Sequence, residues 1–373
     1  MTRLRALLVA VVVLVAAAVA VTAVAVASPS RPPGPGPAGP DPATGTARAA
    51  GARPAPLQLG VTVLALWRDW DDREHLLDTA RDNGASWIRV DSGWCSLEEQ
   101  GPGQVSSWYQ DRMDTVVRDA RARGLQVLMM VGCPPAWAGG ADAQYNGYPD
   151  DDAEFTRVMT YLAGRYRGQV AAWQIANEPD CFGGCGNGDP ERYVPFLQAG
   201  YRGVKAGSPD ALVVTAGTSG VDVDWYRRLY DTGAAGWFDA VAVHPYLDPA
   251  TAPPDAPPEG RRYRLTSLPD LRRLMVERGD AAKPIWFTEF GWTTADTGDR
   301  PGVDPGTQAR YLSEAVQQVQ QRYPYVSHAF WFTLVDRDDS TPYENEFGLL
   351  NRDGSPKPAL GAFRQSQEWL RGR

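Results

Sequence analysis

Val170-Ala171-Ala172-Trp173-Gln174-Ile175-Ala176-Asn177-Glu178-Pro179 decides the reading of this chain. It opens as an apolar, β-favouring run and closes on an amide, a carboxylate and a proline. Proline has no N–H to give a sheet ladder, so the strand ends there and Glu178 stands at its C-terminal tip. The rest of the sequence can be read by asking what would surround that glutamate.

Working outward, apolar runs alternate with segments of helical spacing. Strands are predicted over Leu57–Leu64, Ser86–Val90, Leu125–Val131, Val170–Ala176, Ala211–Ala216, Phe238–His244, Pro284–Phe290 and His328–Leu334. Helices are predicted over Asp69–Arg81, Ser106–Arg123, Asp152–Tyr166, Glu191–Ala206, Asp224–Tyr230, Leu271–Arg278, Thr307–Arg322 and Pro358–Leu370. The strands read as continuous apolar runs, the pattern of a sheet buried on both faces. Eight such βα units in roughly 315 residues predict an α/β chain folded as a (β/α)8 barrel, a TIM barrel, over 57–373. An open doubly wound sheet is the alternative. It would carry a Gly-rich turn after its first strand, where this chain has Ala65-Leu66-Trp67-Arg68.

In such a barrel the chemistry sits at the C-terminal ends of the strands. Those ends carry Arg89 and Asp91, then Asn177 and Glu178, then His244 and Tyr246, then Glu289 with Trp292 just beyond. Trp331 lies on the eighth strand, and Trp137 in the loop after the third. Two glutamates at the tips of strands four and seven face each other across a narrow mouth, the carboxylate pair that glycoside hydrolysis requires. A serine-hydrolase reading would rest on Gly217-Thr218-Ser219-Gly220, which does not match the G-x-S-x-G elbow.

Trp173-Gln174-Ile175-Ala176-Asn177-Glu178-Pro179 together with Trp286-Phe287-Thr288-Glu289-Phe290-Gly291-Trp292 resembles the retaining glycoside hydrolases of clan A. That group includes cellulase-like, β-xylosidase and exopolysaccharide-hydrolase families. Gly348-Leu349-Leu350-Asn351-Arg352-Asp353-Gly354 and Lys357-Pro358 look like the close of such domains. The resemblance implies Glu178 as general acid/base and Glu289 as nucleophile. It implies Asn177 on the sugar 2-hydroxyl, Arg89 and Tyr246 on Glu289, His244 along the same wall and Trp331 as the floor of the reacting sugar. Trp137 and Trp292 would line an extended cleft with Tyr145 and Tyr148. The substrate would be a β-linked poly- or oligosaccharide. A transglycosylase on the same residues and a non-catalytic glycan-binding barrel are the alternatives.

Elementary electrostatics supports the division of labour. Two carboxylates about 5 Å apart repel by roughly 3 kcal/mol at an effective dielectric near 20, roughly two pKa units. One of them must hold its proton. Arg89 within reach of Glu289 would select that side chain as the anion and leave the proton on Glu178. Blander readings stand beside these: His244 as a satisfied wall histidine, and Trp67, Trp94, Trp137 and Trp292 as ordinary core.

Composition sets the setting. The chain has 373 residues, a formal charge of −8 and 13 Trp. No basic run follows the N-terminus, which argues against a nucleic-acid partner. Arg3 and Arg5 precede a charge-free run from Ala6 to Ala27, with Ala25-Val26-Ala27-Ser28 as an A-x-A cleavage signal. Residues 1–27 therefore read either as a cleaved signal peptide or as a retained membrane anchor through residues 6–27. Residues 28–56, rich in Pro, Gly and Ala, read as a disordered tether. Either way the enzyme would be secreted or held on the extracellular face of a membrane, and a monomer is expected. Four Cys in an oxidising compartment suggest the pairs Cys181–Cys185 and Cys95–Cys133. The three His are scattered, no Cys-x-x-Cys is present, and neither a metal nor a cofactor is expected. Asp336, Asp338 and Asp339 read as a solvated loop.

Overall fold

Strand β1 (Gln58–Thr62) pairs in parallel with β2 (Trp87–Gly93) on one side and β8 (Val326–Trp331) on the other. The sheet continues through β3 (Gln126–Gly132), β4 (Ala172–Ile175) and β5 (Leu212–Val214) in one direction. In the other it runs through β7 (Ile285–Phe290) to β6 (Val241–Val243). A parallel bridge between Val214 and Ala240 joins β5 to β6 and closes the ring. The predicted TIM barrel is therefore the observed fold. This computed structural model describes residues 55–139, 147–181, 188–259, 264–298 and 300–372, all within one compact unit. The expected signal or anchor at 1–27 and nearly all of the tether at 28–56 lie outside the described residues. Among the described residues no helix is long and apolar enough to cross a membrane.

The barrel helices are α1 (Arg73–Asp82), α3 (Ser107–Ala122), α5 (Asp152–Arg165), α6 (Pro190–Gly207), α7 (Val223–Asp231), α8 (Leu268–Glu277), α9 (Pro305–Arg322) and α10 (Pro358–Arg371). Two single turns, α2 (Trp94–Leu97) and α4 (Ala136–Gly139), sit in loops. The starts are chemically marked. Ser106 accepts from the Tyr109 N–H, Asp151 from Ala153, Asp222 from Trp225 and Asp304 from Thr307, each satisfying an orphan donor of the first turn.

Side chains alternate across each strand, so the barrel has two cores. Trp87, Leu128, Ala172, Val214, Ala240, Ala242, Trp286 and Phe330 form the inner one, with Trp286 stacked on His328 at 3.8 Å. Gly60 makes room there, because a Cβ on it would lie 2.6 Å from the Phe330 ring. The larger outer core lies between strands and helices and includes Val61, Ile88, Val127, Trp173 and Phe287.

Three local expectations are corrected. Helix α1 begins at Arg73, not Asp69: residues 67–72 are turns, and Asp69 is buried in an ion pair with Arg68 at 2.6 Å. Strand β8 ends at Trp331 rather than Leu334. Asp336 is not a solvated loop residue, since it is buried, lies 2.8 Å from the Lys357 ammonium and accepts from the Gly348 N–H. Cys95 and Cys133 form a disulfide that ties the segment after β2 to the end of β3. Of the other expected pair, Cys185 lies outside the described residues.

Candidate active site

Beyond β4 the backbone turns sharply. Ala176 and Glu178 adopt φ of 66° and 41°, left-handed values that cost a non-glycine residue roughly 1–3 kcal/mol each. The neighbouring strands hold this turn. Ala176 donates its N–H to the Val131 carbonyl at 2.9 Å and Glu178 donates to the Gly217 carbonyl at 3.1 Å. Both carboxylate oxygens of Asp180 accept from the Ser219 N–H, at 3.2 and 3.0 Å. The tip of β4 is thus pinned to the segment after β5, and Glu178 is aimed into the barrel mouth.

Glu289, on β7, faces it. Oxygens of Glu178 and Glu289 and a ring nitrogen of His244 all lie within 4.8 Å of one another. Oxygens this close fit the retaining arrangement, in which the two carboxyl groups stand roughly 5–5.5 Å apart, and leave no room for the wider inverting pair. The His244 Nδ1 is 2.8 Å from Glu178 Oε1, and its Nε2 is 3.0 Å from the Thr288 hydroxyl. Gly217 permits this placement, because a Cβ there would fall 2.3 Å from the imidazole.

Arg89 organises the opposite wall. It is fully buried, and one terminal nitrogen lies 2.9 Å from Glu289 Oε1 and 2.9 Å from Asp91 Oδ1. The other donates to Asn177 Oδ1 at 2.8 Å, and Nε donates to Gln174 Oε1 at 2.9 Å. The Gln174 amide donates in turn to the Thr288 hydroxyl at 2.9 Å. The Tyr246 hydroxyl donates to Glu289 Oε2 at 2.8 Å.

These contacts set the charges. Burial pushes Glu289 up, but His244, Arg89 and the Tyr246 hydroxyl outweigh it and hold the carboxyl below its ordinary range. Burial pushes His244 down, yet Glu289 and Glu178 carry it above the ordinary imidazole value. Burial raises Asp91, and Arg89 offsets this only in part. Burial and the nearby Glu178 push Asp180 up to about 7. Burial and Glu289 keep Tyr246 a neutral donor.

The mouth opens into a cleft of about 1060 Å³ whose lining includes Asp91, Asn177, Glu178, Tyr246, Glu289 and Phe332. Among the described residues, Glu178, His244 and Glu289 are also the one acid and histidine group close enough to hold a metal ion. Their donor atoms already face Thr288, Tyr246, Arg89 and one another.

Of the residues anticipated from sequence, Arg89, Asn177, Glu178, His244, Tyr246 and Glu289 come together. The three tryptophans do not. Trp331 has no exposed surface, donates its indole N–H to the Phe347 carbonyl at 2.9 Å and packs on Phe290 and Trp292. One residue along a strand reverses the face. Of these three neighbours, Phe330 points into the inner core, Trp331 into the outer one, and Phe332 reaches the cleft. Trp292 is buried, with its N–H on the Ala252 carbonyl at 2.9 Å. Trp137 stands edge-on to Trp94, with its N–H on the Glu98 carbonyl. Tyr148 packs against Phe196 beneath Arg192, and Tyr145 lies outside the described residues. Asp180, Gln174, Thr288 and Phe332 had no assigned role in the sequence reading. A period-2 count along β4 and β7 would have put Gln174 and Thr288 on the inward face beside Ala172 and Trp286.

The family of cellulases, glycosyl hydrolase family 5, matches residues 52–333. No curated protein matches. Among solved structures, a family 39 glycoside hydrolase from the gut symbiont Bacteroides cellulosilyticus WH2 superposes with TM-score 0.70 at 23% identity, over 85% of this chain and 64% of that one. The chain thus spans less than two thirds of that relative. A GH5_18 protein from Streptomyces cattleya, in its E153A form with Manβ1-4GlcNAc, gives 0.65 at 18% identity over 84% and 81%. The exo-β-1,4-mannosidase Op5Man5 from Opitutaceae bacterium strain TAV5 gives 0.62 at 19% identity over 84% and 59%. At these identities the superpositions establish the shared barrel fold, and the family match carries the assignment. The chain belongs to the cellulase family, glycosyl hydrolase family 5.

Proposed function

We propose that this protein is a retaining glycosidase hydrolysing O-glycosidic bonds of a β-linked poly- or oligosaccharide. The observation that carries the reading is the approach of Glu178 and Glu289 within 4.8 Å, with Arg89 on Glu289 alone of the two. Glu289 is the nucleophile. Its carboxylate attacks the anomeric carbon while Glu178 protonates the departing glycosidic oxygen, giving a glycosyl ester on Glu289. That step removes the negative charge beside Arg89, whose guanidinium retains Asp91 at 2.9 Å. Glu178, now a carboxylate, takes a proton from water, and the resulting hydroxide attack releases the sugar with its configuration retained.

The remaining residues have derived tasks. Because Arg89 donates to Asn177 Oδ1, the Asn177 amide N–H groups are turned away from Arg89 and free to donate to a sugar hydroxyl. Tyr246 fixes the plane of the Glu289 carboxylate, and His244 bridges Glu178 to Thr288. Phe332 offers the sugar an apolar face. The Cys95–Cys133 disulfide and the charge-free run over 6–27 support an extracytoplasmic location.

Separate Glu178→Gln and Glu289→Gln variants on a panel of aryl glycosides test this. Both should lose turnover on a substrate the wild type cleaves. Azide should rescue the two variants with products of opposite anomeric configuration. Undiminished turnover by either variant would remove the double-displacement reading.

A further inference from the structure

Trp67 and Trp108 are 49% and 51% exposed, large apolar side chains left in water in a protein that buries most of its tryptophans. Their rings lie 5.3 Å apart, and Trp67 rests on the buried Tyr109 at 5.2 Å. Trp67 follows β1 and Trp108 opens α3 after β2, so both stand on the rim that carries Glu178 and Glu289. They do not line the catalytic cleft.

The pair is held stiffly. The Arg112 guanidinium sits 4.3 Å over the Trp108 ring and 4.4 Å over Trp70, and donates to the Leu66 carbonyl at 2.8 Å. The Tyr109 hydroxyl accepts from the Gly93 N–H at 2.9 Å, two residues past Asp91 in the cleft. On the other side Arg68 lies 3.9 Å from Asp339, which also accepts from Arg337 of the cleft wall. Two short paths therefore join the indoles to the site.

We propose that Trp67 and Trp108 form a second glycan-binding platform, on which sugars of the same polysaccharide stack beyond the cleft; this rests on the glycosidase reading above. The size of the patch selects the occupant. Two half-exposed indoles present about 250 Å² of ring surface. A protein partner needs about 800 Å². A pyranose covers about one indole, with its C–H face on the ring and its hydroxyls reaching the charged rim. The platform is preorganised, so stacking immobilises little on the protein side.

Affinity electrophoresis tests it, in native gels containing galactomannan, mixed-linkage β-glucan or xylan. The wild type should be retarded by one of them. The Trp67→Ala, Trp108→Ala double variant should bind that polysaccharide about tenfold or more weakly. Its rate on a small aryl glycoside, which cannot reach the platform, should be unchanged. Trp67→Tyr with Trp108→Tyr keeps flat rings and should restore most of the retardation. Trp108→Ala alone, on the solvent side of a helix, guards against a folding defect. Equal retardation of wild type and double variant, or a wild type retarded by none of the gels, overturns the proposal. Failure of the glycosidase reading would appear separately, as a wild type that is retarded yet cleaves no aryl glycoside.

Discussion

One terminal nitrogen of Arg89 stands 2.9 Å from Glu289 and 2.9 Å from Asp91, so a single buried cation serves two carboxylates. It is one of the groups that keep Glu289 ionised against the pull of burial. Replacing it by an uncharged side chain tips that balance. Arg89→Gln should lower kcat/KM about 10²–10³-fold, the scale of losing a charge-stabilising donor. Glu289 would then ionise at higher pH, so the acid limb of the pH–rate profile should move upward. A limb that stays in place would mean that His244 and Tyr246 suffice.

Phe332 and Trp331 are neighbours with opposite duties. Phe332→Ala should raise KM for the sugar substrate by about tenfold while leaving the melting temperature nearly unchanged. Trp331→Ala opens a hole in the outer core and should cost about 3–5 kcal/mol of stability. Thermal melts and steady-state kinetics on the two variants separate these outcomes. A reversed pattern would restore Trp331 as the floor of the site.

Asp180 couples stability to pH in the direction opposite to an ion-paired carboxylate. Burial and Glu178 raise it from 3.8 to about 7, so the folded protein keeps a proton that the unfolded chain has released. Stability is lost as pH rises from about 4 to about 7, because the native state binds the extra proton. Asp180→Asn keeps an oxygen for the Ser219 N–H and removes the titration. Its stability relative to wild type should grow across that interval, by on the order of a few kcal/mol. Denaturant melts at pH 4, 5.5 and 7.5 would show the trend; parallel curves would refute it.

The Cys95–Cys133 bond closes a segment with sequence separation 38. On the loop-entropy relation, opening it should cost about 4 kcal/mol. A Cys95→Ser, Cys133→Ser variant should melt earlier, with the catalytic pair intact below its transition. An unchanged melting temperature would argue that the segment is fixed by packing alone.

Much of this architecture was legible in the chain. Strands buried on both faces appear as apolar runs, and polar residues at their ends are conspicuous. That contrast exposed Glu178, Glu289, Arg89, His244, Tyr246 and Asn177. Aromatic residues carry no such contrast. Trp331 and Phe332 are adjacent and both apolar, and only the register of β8 against β1 and β7 tells them apart. Trp292 and Trp137 are taken out of the cleft by carbonyls 40 and 39 residues away in sequence, contacts no local pattern records. Asp69 is partly a case of the same kind: besides its neighbour Arg68, it faces the sequence-distant Arg352, 3.7 Å away.

Seven joints of the cylinder are ladders of paired strands, main chain to main chain. The eighth differs. Between β5 and β6, main-chain bonds run from the Asp239 and Ala240 N–H groups to the Val213 carbonyl and from the Thr215 N–H to the Ala240 carbonyl; beside them the Asp239 carboxylate accepts from the Val213 N–H at 2.7 Å and the Thr215 hydroxyl from the Ala242 N–H at 2.9 Å. Glu178 hangs from this joint through Gly217, while Glu289 sits where the register of β7 on β8 slips. A single misspelling at Asp239 or Thr215 would therefore loosen the seam nearest Glu178 without cutting it.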